Sequence, residues 1–91
     1  MKGLADKVAI VAGAGARGDG IGNGRAAALL LAEAGCRVLA VDRDIALAER
    51  TVAMIQDAGG GAQAARANVT KLSDCEAVVA QACAAFGGVD L

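Results

Sequence analysis

The chain has 91 residues, enough for one small domain or a part of a larger one. Apolar residues make up 56% of it, yet Phe86 is the only aromatic, and net charge is −1 from nine basic and ten acidic side chains. That balance leaves no electrostatic footprint for nucleic acid, and the missing aromatics leave no platform for stacking bases. The longest uncharged apolar run, Ala26–Ala32, is too short to cross a bilayer, and no apolar leader precedes the first charges. Cys36, Cys75 and Cys83 form no Cys-x-x-Cys pair and histidine is absent, which argues against zinc and against a disulfide framework. All three cysteines read as small buried hydrophobes of a reducing, cytoplasmic setting.

In chain order, the apolar run Val8–Ala12 predicts a short strand buried on both faces, as parallel sheets require. Six glycines follow within the twelve residues Gly13–Gly24. Arg25–Ala34 predicts a helix of strong formers, ended by Gly35 in the left-handed region. A strand feeding a glycine loop that opens a helix presents backbone N–H groups and a positive helix end to a pyrophosphate. Arg37–Val41 predicts a second strand, stopping at Asp42. Ile45–Asp57 predicts a second helix with Ala48, Val52 and Ile55 on its inner face, closed by Gly59-Gly60-Gly61.

Ala62–Ala67 is a weak third strand, because Ala, Gln and Arg are poor strand formers. A third helix runs to Phe86 from a cap at Thr70 or Ser73, where Ser73-Asp-Cys-Glu76 fits a capping box. Gly87-Gly88 ends it, and Val89-Asp90-Leu91 begins an extended segment. The βαβαβα order predicts a parallel sheet with right-handed crossovers.

Asp42 stands 18 residues beyond Gly24, at the end of the second strand. An acid at this distance from a glycine fingerprint accepts hydrogen bonds from an adenosine ribose; alone, it would read as a solvated cap of the next helix. A P-loop is excluded because no Gly-Lys-Ser/Thr follows the glycines. A methyltransferase would place an acid just before the first glycine, where Val11-Ala12 stands.

Leu4-Ala-Asp-Lys-Val-Ala-Ile-Val-Ala-Gly, the glycine loop, Leu31-Ala-Glu-Ala-Gly-Cys-Arg-Val, Val41-Asp-Arg-Asp, Ala67-Asn-Val-Thr and Phe86-Gly-Gly-Val-Asp-Leu together resemble the N-terminal part of a short-chain dehydrogenase/reductase. The resemblance covers essentially the whole chain. It implies a Rossmann-type three-layer α/β fold with strand order 3-2-1 and the start of strand 4 beside strand 1. It also implies an oxidoreductase that moves hydride between alcohol and carbonyl, homo-oligomeric as a full-length parent. Residues 1–91 are then expected to be the N-terminal part of a dinucleotide-binding domain.

The cofactor-binding residues implied are Gly13, Gly20, Ile21, Gly22, Asn23, Gly24, Asp42, Arg43, Asn68 and Val69. Ala12 replaces the family's threonine, and the glycine loop is longer than usual. Its last two glycines are Gly22 and Gly24, or Gly20 and Gly22 around Ile21. Arg17 is either a phosphate partner or a solvated turn residue. Asn68 stands where the family has Asp, beside the adenine, and is either a base contact or a turn former. Arg43 would suit the 2′-phosphate of NADP, while Asp42 favours NAD. The family's catalytic Ser and Tyr-x-x-x-Lys have no counterpart here, and tyrosine is absent. A non-catalytic nucleotide-binding or structural module, complete at this length, is the alternative.

Overall fold

The computed structural model describes residues 6–13 and 23–90. Three strands, β1 (Val8–Ala12), β2 (Arg37–Asp42) and β3 (Gly61–Arg66), alternate with α1 (Asn23–Glu33), α2 (Ile45–Asp57) and α3 (Leu72–Phe86). The sheet order is β1-β2-β3 and both pairings are parallel, with Ala12 opposite Val41 and Asp42 opposite Arg66. The expected 3-2-1 order is therefore the observed one. A parallel register brings all three strand C-termini to one edge of the sheet, the edge at which ligands bind in open α/β folds.

Side-chain alternation along the strands builds two cores. Ala9, Val11, Val38, Ala40 and Ala62 face Ala28 of α1 and Val52 and Ile55 of α2. Val8, Leu39, Val41, Ala65 and Ala67 face Val78 and Ala82 of α3. The central strand β2 is buried on both faces, so its apolar run is unbroken from Val38 to Val41. Seven of these fifteen positions are alanines, whose short side chains let the helices approach the sheet closely.

β3 forms despite its poor intrinsic propensity. Six residues of register with β2 hold it, and two glutamines reinforce it from opposite layers. Gln56 of α2 donates to the Ala62 carbonyl at 3.4 Å, and Gln81 of α3 donates to the Ala64 carbonyl at 3.2 Å. Side-chain donors of this kind satisfy backbone acceptors that an edge strand otherwise leaves to solvent.

The glycine stops behave as expected. Gly35, Gly59 and Gly87 have φ of 101°, 88° and 87°, the left-handed values that end a helix without a Cβ penalty. The capping box at α3 does not form. Its N-cap is Lys71, which makes no side-chain cap bond, and Ser73 lies inside the helix. Asp74 is used instead: its Oδ2 accepts from the Asn68 backbone N–H at 2.8 Å, tying the end of the β3 segment to the first turn of α3. The cysteines also divide, since Cys36 is buried while Cys75 is half-buried and Cys83 exposed. On α3 the buried stripe is carried by Val78 and Ala82, which turns Cys83 outward.

Beyond α3 the chain returns to β1. The Asp90 N–H donates to the Val8 carbonyl at 2.8 Å, and Val8 N–H donates to Asp90 Oδ2 at 2.9 Å. The segment after α3 thus lies against the side of β1 away from β2, where a fourth strand was expected, but no strand is formed there among the described residues. Among the described residues, no helix is long and apolar enough to cross a membrane, and no group of three His, Cys, Asp or Glu side chains is placed to hold a metal ion.

Candidate functional site

The strand C-termini converge on a small cleft of about 160 Å³ lined by Gly13, Val41, Asp42, Arg43, Ala67 and Val69. Four of the residues proposed from sequence therefore meet in one place. Gly13 directly follows β1 and has φ of 63°; a Cβ built on it would meet nothing within 4 Å among the described residues. Glycine is needed there for its backbone conformation, and the space beside it is open to a ligand.

Asp42 ends β2 and is half-buried. Its Oδ1 accepts from the Asp44 N–H at 3.0 Å, and it is Asp44 that caps α2, accepting from the Ala46 N–H at 3.0 Å. The two aspartates divide the work: the cap belongs to Asp44, and the carboxylate of Asp42 stays at the mouth of the cleft. A carboxylate offers about four acceptor positions, more than the turn bond uses.

Asn68 acts as a turn former. Its Oδ1 accepts from the Thr70 N–H at 3.1 Å and from the Thr70 hydroxyl at 2.6 Å. This local turn, with the Asp74 bond, projects Val69 outward, 52% exposed. Cys75 Sγ donates to the Val69 carbonyl at 3.3 Å and pins the same segment. Val69 joins Ile10, Ala12, Val41, Cys75, Val78 and Val79 around a neighbouring apolar slot of about 140 Å³. One side of the site is thus apolar and the other carries the Asp42 carboxylate, which suits a heteroaromatic base joined to a sugar.

Arg43 is exposed and borders a second, polar cleft of about 350 Å³, which it shares with Arg66, Asn68, Lys71 and Asp74. Gly24 lies half-buried in the first turn of α1, and Asn23 opens that helix. Gly20, Ile21, Gly22 and Arg17 lie outside the described residues. A roomier depression of about 530 Å³ sits between the far ends of α1 and α2, around Leu29, Ala32, Ile55 and Gly60. It is remote from the strand C-termini, and among the described residues Glu33 is its only ionisable side chain.

One residue of the site's framework gave no sequence signal. Arg25, immediately after Gly24, is fully buried. Its Nε donates to Thr51 Oγ1 at 2.8 Å, and its guanidinium also donates to the Leu47 carbonyl at 3.4 Å. Both partners lie on α2.

A sequence profile of the family described as short chain dehydrogenase matches residues 7–91. The chain belongs to the short-chain dehydrogenase/reductase family. It is 37% identical over 86 residues to the cyclohexanol dehydrogenase of Acinetobacter sp. (strain SE19), covering 94% of this chain and 32% of that protein. It is 40% identical over 88 residues to the galactitol 2-dehydrogenase of Agrobacterium fabrum, covering 97% and 31%. A short-chain dehydrogenase/reductase homolog of Bacillus subtilis, YusS, is 40% identical over 88 residues, covering 94% and 75%. The chain therefore spans about a third of the first two relatives and three quarters of the last.

Among solved structures, one from Burkholderia xenovorans described as a short-chain dehydrogenase/reductase superposes with a TM-score of 0.89 at 45% identity, covering 96% of this chain and 34% of that one. A 7α-hydroxysteroid dehydrogenase complexed with NADH and 7-oxo glycochenodeoxycholic acid superposes at 0.88 with 36% identity, covering 96% and 32%. The chain's fold is that of these family members over the part they share.

Proposed function

We propose that this short-chain dehydrogenase/reductase chain is the N-terminal, NAD-binding part of an oxidoreductase that interconverts an alcohol and a carbonyl. The observation that carries this reading is the cleft that joins Gly13, open on its Cβ side, to an Asp42 carboxylate relieved of helix capping by Asp44. Asp42 accepts hydrogen bonds from the adenosine ribose, and Ala67 and Val69 pack against the base. The first N–H groups of α1, which lack carbonyl partners within the helix, stabilise the pyrophosphate. Gly20, Ile21, Gly22, Asn23 and Gly24 are the further residues that this reading assigns to cofactor binding. The nicotinamide supplies hydride acceptance or donation once bound, and the chain's own residues bind and orient it.

NAD is favoured over NADP because a carboxylate beside a 2′-phosphate suffers like-charge repulsion in a partly desolvated site. Titration of the full-length protein with NADH and NADPH, followed by nicotinamide fluorescence, tests both points. Tighter binding of NADH, and a preference that weakens in Asp42→Ala, is the expected result. A tighter NADPH complex, with a preference unmoved by Asp42→Ala, would transfer the role to Arg43 and the cations of the neighbouring polar cleft.

A further inference from the structure

Hydrogen bonds form a continuous path between the first turn of α1 and the carboxylate of Asp42. Arg25 donates to the Leu47 carbonyl at 3.4 Å and to Thr51 Oγ1 at 2.8 Å, and the Thr51 hydroxyl itself donates to that carbonyl at 3.4 Å. The Leu47 N–H donates to the Asp44 carbonyl at 3.1 Å, and the Asp44 N–H donates to Asp42 Oδ1 at 3.0 Å. Arg25 and Thr51 have no exposed surface at all. Burying a guanidinium is costly, and Arg is seldom fully buried unless it is well bonded. A methionine or leucine would fill such a space between two helices without that cost. What the arginine adds is a directional, multi-point link of fixed geometry.

The two ends of this link are the two places where the proposed cofactor is held. Arg25 directly follows the glycine loop, so its helix turn carries the pyrophosphate-facing N–H groups. Asp42 stands at the ribose. A dinucleotide bridges them with a nearly fixed separation, and a small misplacement of either weakens binding of any ligand that needs both. We infer that Arg25, through Thr51 and Leu47, is a positioning residue that sets the distance between the pyrophosphate-binding helix end and the ribose carboxylate. The inference rests on the NAD-binding reading above.

The test is a double-mutant cycle on the full-length protein, with ADP-ribose as probe, since ADP-ribose carries the ribose and pyrophosphate without the nicotinamide. Thr51→Val removes the central hydroxyl at nearly constant volume. Asp42→Asn removes the ribose acceptor charge without touching α1. Thr51→Val is expected to weaken ADP-ribose binding about tenfold, the effect of one well-placed buried hydrogen bond. The penalty for Asp42→Asn should then shrink by at least about threefold in the Thr51→Val background, because the carboxylate is no longer held in register.

A purely structural role for Arg25 lowers the melting temperature but leaves the two penalties multiplicative. Multiplicative penalties, or unchanged ADP-ribose binding in Thr51→Val, would overturn the inference while the cofactor assignment stands. No ADP-ribose or NADH binding by the unmutated protein would overturn both. Arg25→Lys serves as the companion variant: its ammonium lacks the forked geometry, so the Asp42→Asn penalty should shrink in that background too, and an undiminished penalty there would also overturn the inference.

Discussion

At the scale of single residues, Gly13 and Asp42 act by different physics. Gly13 is set by its backbone: φ of 63° is strained for any side chain with a Cβ, and more so for a β-branched one. Gly13→Val should therefore abolish NADH binding, and should lower the melting temperature modestly through strain. Retained NADH affinity in a folded Gly13→Val protein would show that the dinucleotide does not approach this backbone. That Asp42 stands at the end of β2 was legible in the sequence from the apolar run before it. Its separation from the capping role was not, because Asp42 and Asp44 are equally suited to cap a helix and only coordinates assign the cap to Asp44. Arg25 was illegible for another reason. It stands between Gly24 and three alanines, and the hydroxyl that it bonds lies 26 residues away.

At the scale of elements, helix starts separate into those fixed by a side chain and those fixed by neighbours. Asp44→Ala should destabilise the fold by about 1 kcal/mol, the usual cost of losing a bonded N-cap. Ser73→Ala should leave stability within about 0.5 kcal/mol, as for a surface position without a partner. Chemical denaturation of the two variants checks the pair, and a larger loss for Ser73→Ala would restore the capping box that the sequence suggested. β1, β2 and α2 were legible because apolar runs and glycine stops are local signals: Val8–Ala12 and Ile45–Asp57 match the structure residue for residue. The start of α3 was misread because Ser-x-x-Glu is a local pattern, whereas Asp74 is drawn to the Asn68 N–H by the turn out of β3. β3 was faint in sequence because its support comes from β2, Gln56 and Gln81 rather than from its own residues.

At the scale of the whole molecule, the two edges of the sheet are treated differently. β3 receives the two glutamine donors. On its side away from β2, β1 is met at Val8 by Asp90, and the apolar slot around Ile10, Ala12, Val69 and Val79 opens next to it. Val69 and Val79 are 52% and 47% exposed, so apolar side chains face solvent beside this edge. Such an edge is a template for pairing with another chain. The 91 residues expressed by themselves should accordingly self-associate or unfold with low cooperativity. Their alanine-rich cores bury little area against about 1–2 kcal/mol of backbone entropy per residue. Sedimentation velocity and thermal unfolding of the 91-residue chain make the measurement. Val79→Lys places a charge at an exposed position of the slot, and should shift the sedimentation profile toward monomer without lowering the melting temperature. A monomeric chain with a sharp transition above about 55 °C, within the ordinary range for small domains, would mean that the β1 edge and its slot are satisfied as they stand. Association unmoved by Val79→Lys would place the contact on another surface, such as the exposed Leu30 of α1 or Leu72 at the start of α3.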